Sequence, residues 1–166
     1  LAQAREKLNI KDMETRAIEL AMAELEAANG EMRRRFAPAL EKKTAEIFEY
    51  LTGGSFGIVE IRSAQMDVFV REEEAAQARD VISLSQGTMD ELYLSMRLAM
   101  SDLLSRDAEI PLILDDALVN FDDERMARAI DYLKELAKSR QVVVFTCQKR
   151  EAEYVGNDDE INVVSL

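Results

Sequence analysis

Apolar and polar positions alternate along this chain with three different periods, and each period predicts a different kind of element. From Ala4 the steps run four, three, four, three through Leu8, Lys11, Thr15, Ile18, Met22, Leu25, Asn29, Met32 and Phe36. This is a heptad seam with polar interruptions, flanked by charged positions, and it predicts a coiled-coil arm over residues 1–36. An ordinary amphipathic helix packed on a domain is the competing reading. Pro38 is expected to kink or restart the helix. Leu40, Ile47, Phe48 and Leu51 then supply a second apolar face.

Thr52-Gly53-Gly54-Ser55 ends that helix, its glycines suited to a left-handed cap. The period then shortens to two. Ile58–Ile61 and Asp67–Val70 read as strands of a hairpin turning around Ser63-Ala64. Arg71 to Asp80 is charged and aperiodic, so a loop is expected. Helical spacing returns after Leu84-Ser85-Gln86-Gly87-Thr88, where Leu92, Met96, Ala99, Met100, Leu103 and Leu104 form a stripe on a helix reaching about Arg106. Thr88 and Glu91 could form a capping box, with Ser85 as the alternative first cap. A Ser-x-Gly-Thr before a helix is most often only a cap. Its backbone N–H groups and helix dipole are nevertheless of the kind that holds an anion.

Pro111–Leu114 is a short, wholly apolar run that ends in Asp115-Asp116. Such a run suits a parallel strand buried on both faces. Carboxylates at its carboxyl end lie where open α/β sheets bind ligands. Alternation along a strand would point the two aspartates to opposite sides, giving them different roles: one on a Mg²⁺ water shell, the other toward an attacking water. A pair of solvated turn carboxylates is the plainer alternative. Asp122 is placed to cap a helix with the stripe Met126, Ala129, Ile130, Leu133 and Leu136. Gln141–Thr146 follows as a second buried strand, completing a βαβ unit. Thr146 to Arg150 then lies at the same sheet edge as Asp115, and Ile161–Ser165 is expected to be a final strand.

Composition narrows the chemistry. The 166 residues are 48% hydrophobic and 33% charged, enough for one domain with a core and an appendage. Their net charge is −12. The first 51 residues are nearly neutral, with nine basic and ten acidic side chains, and almost the whole excess lies beyond them. An acidic surface does not hold a polyanion by counterion release, so any nucleic-acid contact requires a local basic patch. Arg33-Arg34-Arg35 is the only dense one, and is either a solvated face balancing nearby glutamates or a phosphate-backbone contact. No histidine and a single cysteine, Cys147, all but exclude zinc and iron–sulfur chemistry. That cysteine fits a reducing cytoplasm. No apolar run approaches the ~18 residues of a membrane span, so a soluble cytoplasmic chain is expected. A helix already in progress at Leu1 suggests a piece of a longer chain.

In this order the motifs carry a resemblance. Leu84–Thr88 resembles the ABC-ATPase signature, Pro111–Asp116 a Walker B strand, and Asn120-Phe121-Asp122 a D-loop. Phe145-Thr146-Cys147-Gln148 falls where such proteins place the switch residue. Together they are similar to the C-terminal half of the head of SMC-like and double-strand-break-repair ATPases, in particular bacterial SMC-like proteins with an Asp-Asp Walker B. Each motif alone is weak.

The resemblance implies an α/β fold: the C-terminal lobe of an ABC-type P-loop NTPase over residues 37–166, with a mostly parallel sheet and flanking helices. A long coiled-coil helix and a β-hairpin would precede the sheet. It implies ATP and Mg²⁺ as ligands, with Asp115 supporting the metal and Asp116 in place of the usual catalytic glutamate. Ser85, Gln86, Gly87 and Thr88 would grip the γ-phosphate of ATP held by a second head. Asn120 and Asp122 would lie at the head–head interface, and Arg97 would link the signature helix to the active site. Gln86 replaces a usual glycine. Gln148 stands where a histidine is expected and cannot act as a protonated switch. No G-x-x-x-x-G-K-[ST] occurs, so the phosphate loop would belong to an upstream lobe of the full-length chain, and this piece alone would be inactive. Expected partners are that lobe, a second head and DNA, with no membrane, in DNA repair or chromosome-associated processes. Two rivals are a non-catalytic coiled-coil scaffold with a degenerate dimerising head, and a Mg²⁺ nuclease using Asp115, Asp116, Asp122 and Asp123.

Overall fold

The computed structural model describes residues 2–62, 67–72, 77–105, 110–156, 158 and 160–165. They form two units, Leu1–Pro38 and Ala39–Leu166. One helix, α1 (Ala2–Leu51), crosses the boundary, and Pro38 lies inside it without ending it.

In the first unit, residues 9–29 are exposed throughout. Met22 and Leu25 of the heptad seam are 57% and 70% accessible. A helix this apolar and this exposed buries nothing by itself; a seam of this kind gains stability from a partner helix. The side chains of Ala4 and Leu8, also on the seam, lie outside the described residues.

The second unit begins where α1 starts to bury side chains. Leu40, Ile47, Phe48 and Leu51 are almost fully enclosed, and the Phe48 ring stacks on Phe56 with centroids 5.2 Å apart. The helix stops because Gly53 (φ 66°) and Gly54 (φ 87°) take the left-handed conformation. Gly54 N–H then donates to the Glu49 carbonyl at 2.8 Å. The terminal Leu51 carbonyl accepts from Arg128 Nε at 2.6 Å.

Strands β1 (Ile58–Arg62) and β2 (Asp67–Arg71) pair antiparallel, Ile58 opposite Arg71 and Arg62 opposite Asp67. The turn expected at Ser63-Ala64 lies outside the described residues. Beyond β2 the expectation of an unbroken loop to Asp80 is corrected. Arg79–Asp80 forms a short β3 on β2, with Phe69 opposite Asp80. Two exposed charged residues give no periodicity to read, and backbone pairing alone makes them a strand. The outer edge of β1 is closed by a side chain: Ile61 N–H donates to Glu41 Oε1 at 2.7 Å.

Helix α2 (Gln86–Leu104) follows a single 3₁₀ turn at Val81–Ser83. Its buried face is Thr88, Glu91, Leu92, Leu94, Ser95, Leu98 and Ala99. This face is rotated from the expected stripe. Leu104 is 70% exposed, and a glutamate occupies the centre of the interior side.

Strand β4 (Leu112–Asp115), helix α3 (Asp123–Ala137) and strand β5 (Val142–Phe145) form the βαβ unit. The strands are parallel, with Leu112 opposite Val142 and Asp115 opposite Phe145. Helix α3 packs through Met126, Ala129, Ile130 and Leu133, with Asp123 and Glu124 in its first turn and Lys134 in its last, as the helix dipole favours. A short α4 (Lys149–Val155), absent from the sequence reading, follows β5.

Two expectations about the sheet are corrected. The parallel sheet is smaller than expected: among the described residues it is the β4–β5 pair alone, separate from the antiparallel β1–β2–β3. Residues 161–165 are not a strand; among the described residues no ladder partner lies beside them, and Val164 stays 69% exposed. Nor is β4 buried on both faces. Leu114 is enclosed, but Ile113 is 64% exposed, and on β5 Val144 and Phe145 are also open. Among the described residues no helix is long and apolar enough to cross a membrane.

Candidate functional site

The Ser85 turn is built by capping. Ser85 is the N-cap of α2 in an extended conformation, and its Oγ accepts from Thr88 N–H at 3.3 Å and lies 2.8 Å from Thr88 Oγ1. Ser85, the alternative of the sequence reading, is therefore the cap, and Thr88 lies inside the first turn. Gln86 folds back along the helix, its Nε2 donating to Asp90 Oδ1 at 3.0 Å. The other oxygen of Asp90 accepts from Asn120 Nδ2 at 2.7 Å. One carboxylate thus ties the first residue of α2 to the loop after β4. Arg97 is exposed on α2.

Gly87 lies against the Arg125 guanidinium, which would have to shift to admit a side chain there. A Cβ there would come 2.6 Å from Arg125 Nη1 and 3.4 Å from the Asn120 carbonyl. Arg125 also pairs through Nε with Asp122 Oδ2 at 3.3 Å and through Nη1 with Glu91 Oε2 at 3.6 Å. Glu91 is fully enclosed, and neither of its oxygens has a hydrogen-bond partner. Burial pushes its pKa up to about 7, with Asp122 adding to the rise; Arg125 and Arg128 oppose it without cancelling it.

At the other end, Asp115 closes β4 and is exposed. Asp116 has φ 45°, so it has left the strand and strand alternation no longer governs where it points. Its N–H donates to the Phe145 carbonyl at 2.9 Å, and its Oδ1 accepts from Cys147 N–H at 3.1 Å. The aspartate is therefore fixed to the segment that follows β5. There Gln148 is half-buried, its N–H donating to Thr146 Oγ1 at 2.9 Å.

Between these ends, residues 118–122 are anchored by the buried Leu118 and Phe121, which leaves Asn120 and Asp122 exposed. Asp122 caps α3, its Oδ1 accepting from Arg125 N–H at 2.9 Å. Arg150, two residues beyond Gln148, grips the same loop. Its Nη2 donates to the carbonyls of Phe121 (2.7 Å), Leu118 (3.3 Å) and Val119 (3.4 Å), and its Nη1 to Asp123 Oδ1 (3.1 Å). Neither Arg125 nor Arg150 was singled out in the sequence. An arginine three residues after a cap, or at the start of a short helix, has no local pattern to mark it.

Residues 85–88 and 120–122 are thus tied together through Asp90 and Arg125, and Arg150, two residues beyond Gln148, holds the same loop. Asp115 joins them only through its strand. Among the described residues no group of three or more His, Cys, Asp or Glu side chains could hold a metal ion, so the four aspartates of a nuclease site do not converge. Arg34 and Arg35 lie exposed in the other unit, with Arg35 paired to Glu31 at 2.6 Å; the Arg33 side chain lies outside the described residues.

The fold is that of SMC ATPase head domains. A chain described for ATP-driven dimerization and DNA-stimulated activation of SMC ATPases superposes with a TM-score of 0.62 at 19% identity, covering 77% of this chain and 78% of that one. The Smc head domain of Pyrococcus furiosus, solved with an extended coiled coil and bound to the C-terminal domain of ScpA, gives 0.61 at 17% identity, over 83% and 35% of the two chains. That of Pyrococcus yayanosii, with a coiled coil and joint, gives 0.61 at 17%, over 86% and 28%.

In sequence the chain is 29% identical over 129 residues to the uncharacterized protein YhaN of Bacillus subtilis, which covers 77% of this chain and 13% of YhaN. It is 34% identical over 64 residues to the uncharacterized protein Rv1278 of Mycobacterium tuberculosis, covering 39% and 7%. The chain therefore spans about an eighth of the first relative's length. No family model matches.

Proposed function

We propose that this chain is the C-terminal lobe of an SMC-like ABC ATPase head, residues 37–166, carried on a coiled-coil arm, residues 1–36. In the complete protein it supplies the signature, Walker B and D-loop for ATP hydrolysis between two heads. The observation that carries this reading is the capped Ser85–Gly87 turn tied to the Asn120–Asp122 loop, within a fold like that of SMC heads.

The residues present suit Mg·ATP. Asp115 stands exposed at the carboxyl end of a parallel strand without a second carboxylate cluster, and magnesium is commonly held by one or two carboxylates with substrate phosphates completing the shell. Bound there, the ion would neutralise charge on the transferring phosphoryl group. Asp116, held by Cys147 N–H, keeps an oxygen free to orient water. Ser85, Gln86, Gly87 and Thr88 present the positive end of α2 to the γ-phosphate held by a second head. Gln148 hydrogen-bonds that phosphate in its own head without changing charge. Asn120 and Asp122 meet the partner head.

The first partner is the upstream lobe of the same full-length chain, which would bring the phosphate loop and cover the open face at Ile113 and Phe145. The second is another head. DNA is the third, contacted through Arg33, Arg34 and Arg35, and DNA repair or chromosome-associated work in the cytoplasm is the setting. The test is steady-state phosphate release by the full-length chain with and without Asp116→Ala. Release that disappears in the variant supports the ATPase; none in either leaves the dimerising scaffold.

A further inference from the structure

We propose that Arg125 is a positioning residue that locks the signature turn and the head–head loop into one unit, so that the two engage a partner head together or not at all. This rests on the reading of residues 85–88 as a site completed by a second head.

The geometry is that of a pin between two elements. One guanidinium faces α2 through Glu91 at 3.6 Å and α3's cap through Asp122 at 3.3 Å. It also occupies the space beside Gly87, where a Cβ would come within 2.6 Å of it. Glu91 is fully enclosed, and Arg125 is its one ion-pair partner among the described residues. Wherever Glu91 is ionised, moving the guanidinium away leaves a buried charge unpaired. The Asp90–Asn120 bond at 2.7 Å adds a second bridge, one residue from Glu91 on α2 and two from Asp122. Two bridges of different chemistry between the same short segments restrain rotation as well as separation. Lysine cannot reproduce the first of them, since a single ammonium lacks the planar fork that spans both carboxylates.

The test uses the full-length chain. Nucleotide affinity of single heads, nucleotide-driven association of heads and hydrogen exchange over residues 84–88 and 118–122 are measured for wild type, Arg125→Lys and Asp90→Asn. The expected result is single-head affinity within about twofold of wild type, with association weakened roughly tenfold, a typical coupling between sites. Exchange should rise in both segments together. Association and exchange unchanged in both variants would overturn the inference. So would association that falls only in proportion to single-head affinity, because that marks general loss of structure. Wild-type heads that do not associate with nucleotide would instead remove the ATPase reading, and this inference with it.

Discussion

Arg150 Nη2 lies 2.7 Å from the carbonyl oxygen of Phe121, a bond between residues 29 apart in sequence. It joins the segment holding Gln148 to the loop holding Asn120 and Asp122, and the same nitrogen serves two further carbonyls. Arg150→Ala would leave those carbonyls without their donor, costing about 2 kcal/mol of local stability. We expect hydrogen exchange over residues 118–122 to rise accordingly, and Arg150→Lys to recover little of the loss. Exchange equal to wild type in the alanine variant would show that water substitutes fully for the guanidinium.

Glu91 should make the head less stable as pH rises. Its folded pKa is raised from 4.5 to about 7, so the folded state keeps a proton that the unfolded state loses between those values. The associated stability is complete below about pH 4.5 and is lost as pH passes through about 7. Glu91→Gln removes the titration. Wild type and variant should match near pH 4.5 and separate at pH 8 by about 3 kcal/mol in favour of glutamine, from the size of the shift. Unfolding curves that stay parallel across this range would rule it out.

Asp116 sits at φ 45°, a conformation asparagine tolerates at least as well as aspartate. Asp116→Asn should therefore keep the fold and the bond to Cys147 N–H while removing the charge proposed to orient water. Phosphate release by the full-length chain should fall at least about a hundredfold, the scale of lost general-base catalysis. Nucleotide-driven association of heads should persist. Turnover within a few fold of wild type would place the catalytic group elsewhere.

The open face of β4–β5 makes a prediction for the 166-residue chain by itself. Ile113 is 64% and Phe145 48% exposed, beside a strand edge that is unpaired among the described residues, a combination that favours association. Ile113→Thr with Phe145→Ser should shift sedimentation toward monomer. The chain should show no ATP turnover above background; measurable turnover would contradict the missing-loop argument.

Elements with local signals were legible in the sequence. Gly53-Gly54 marked the end of α1, Asp122 the start of α3, and alternation gave β1 and β2 their positions. What escaped had its cause far away in the chain. Strand β3 exists through pairing with Phe69 and Val70, and the buried face of α2 is turned toward Glu91 by what packs against it. The tail looked like a strand because its composition suits one, but composition supplies no neighbour. At the site, the turn and the acidic strand end could be read as motifs. The arginines that connect them could not, since their long-range contacts span 27 to 34 residues.

Arg128 gives the second unit a load path. Through the Leu51 carbonyl it fastens the last turn of α1 to α3 at 2.6 Å, across 77 residues of sequence, and Asp122 caps that same α3. A pull or twist on residues 39–51 is therefore delivered to the aspartate proposed to face the other head. The end of the long helix thus meets α3 through one guanidinium and through the rings of Tyr50 and Tyr132, whose centroids lie 5.6 Å apart.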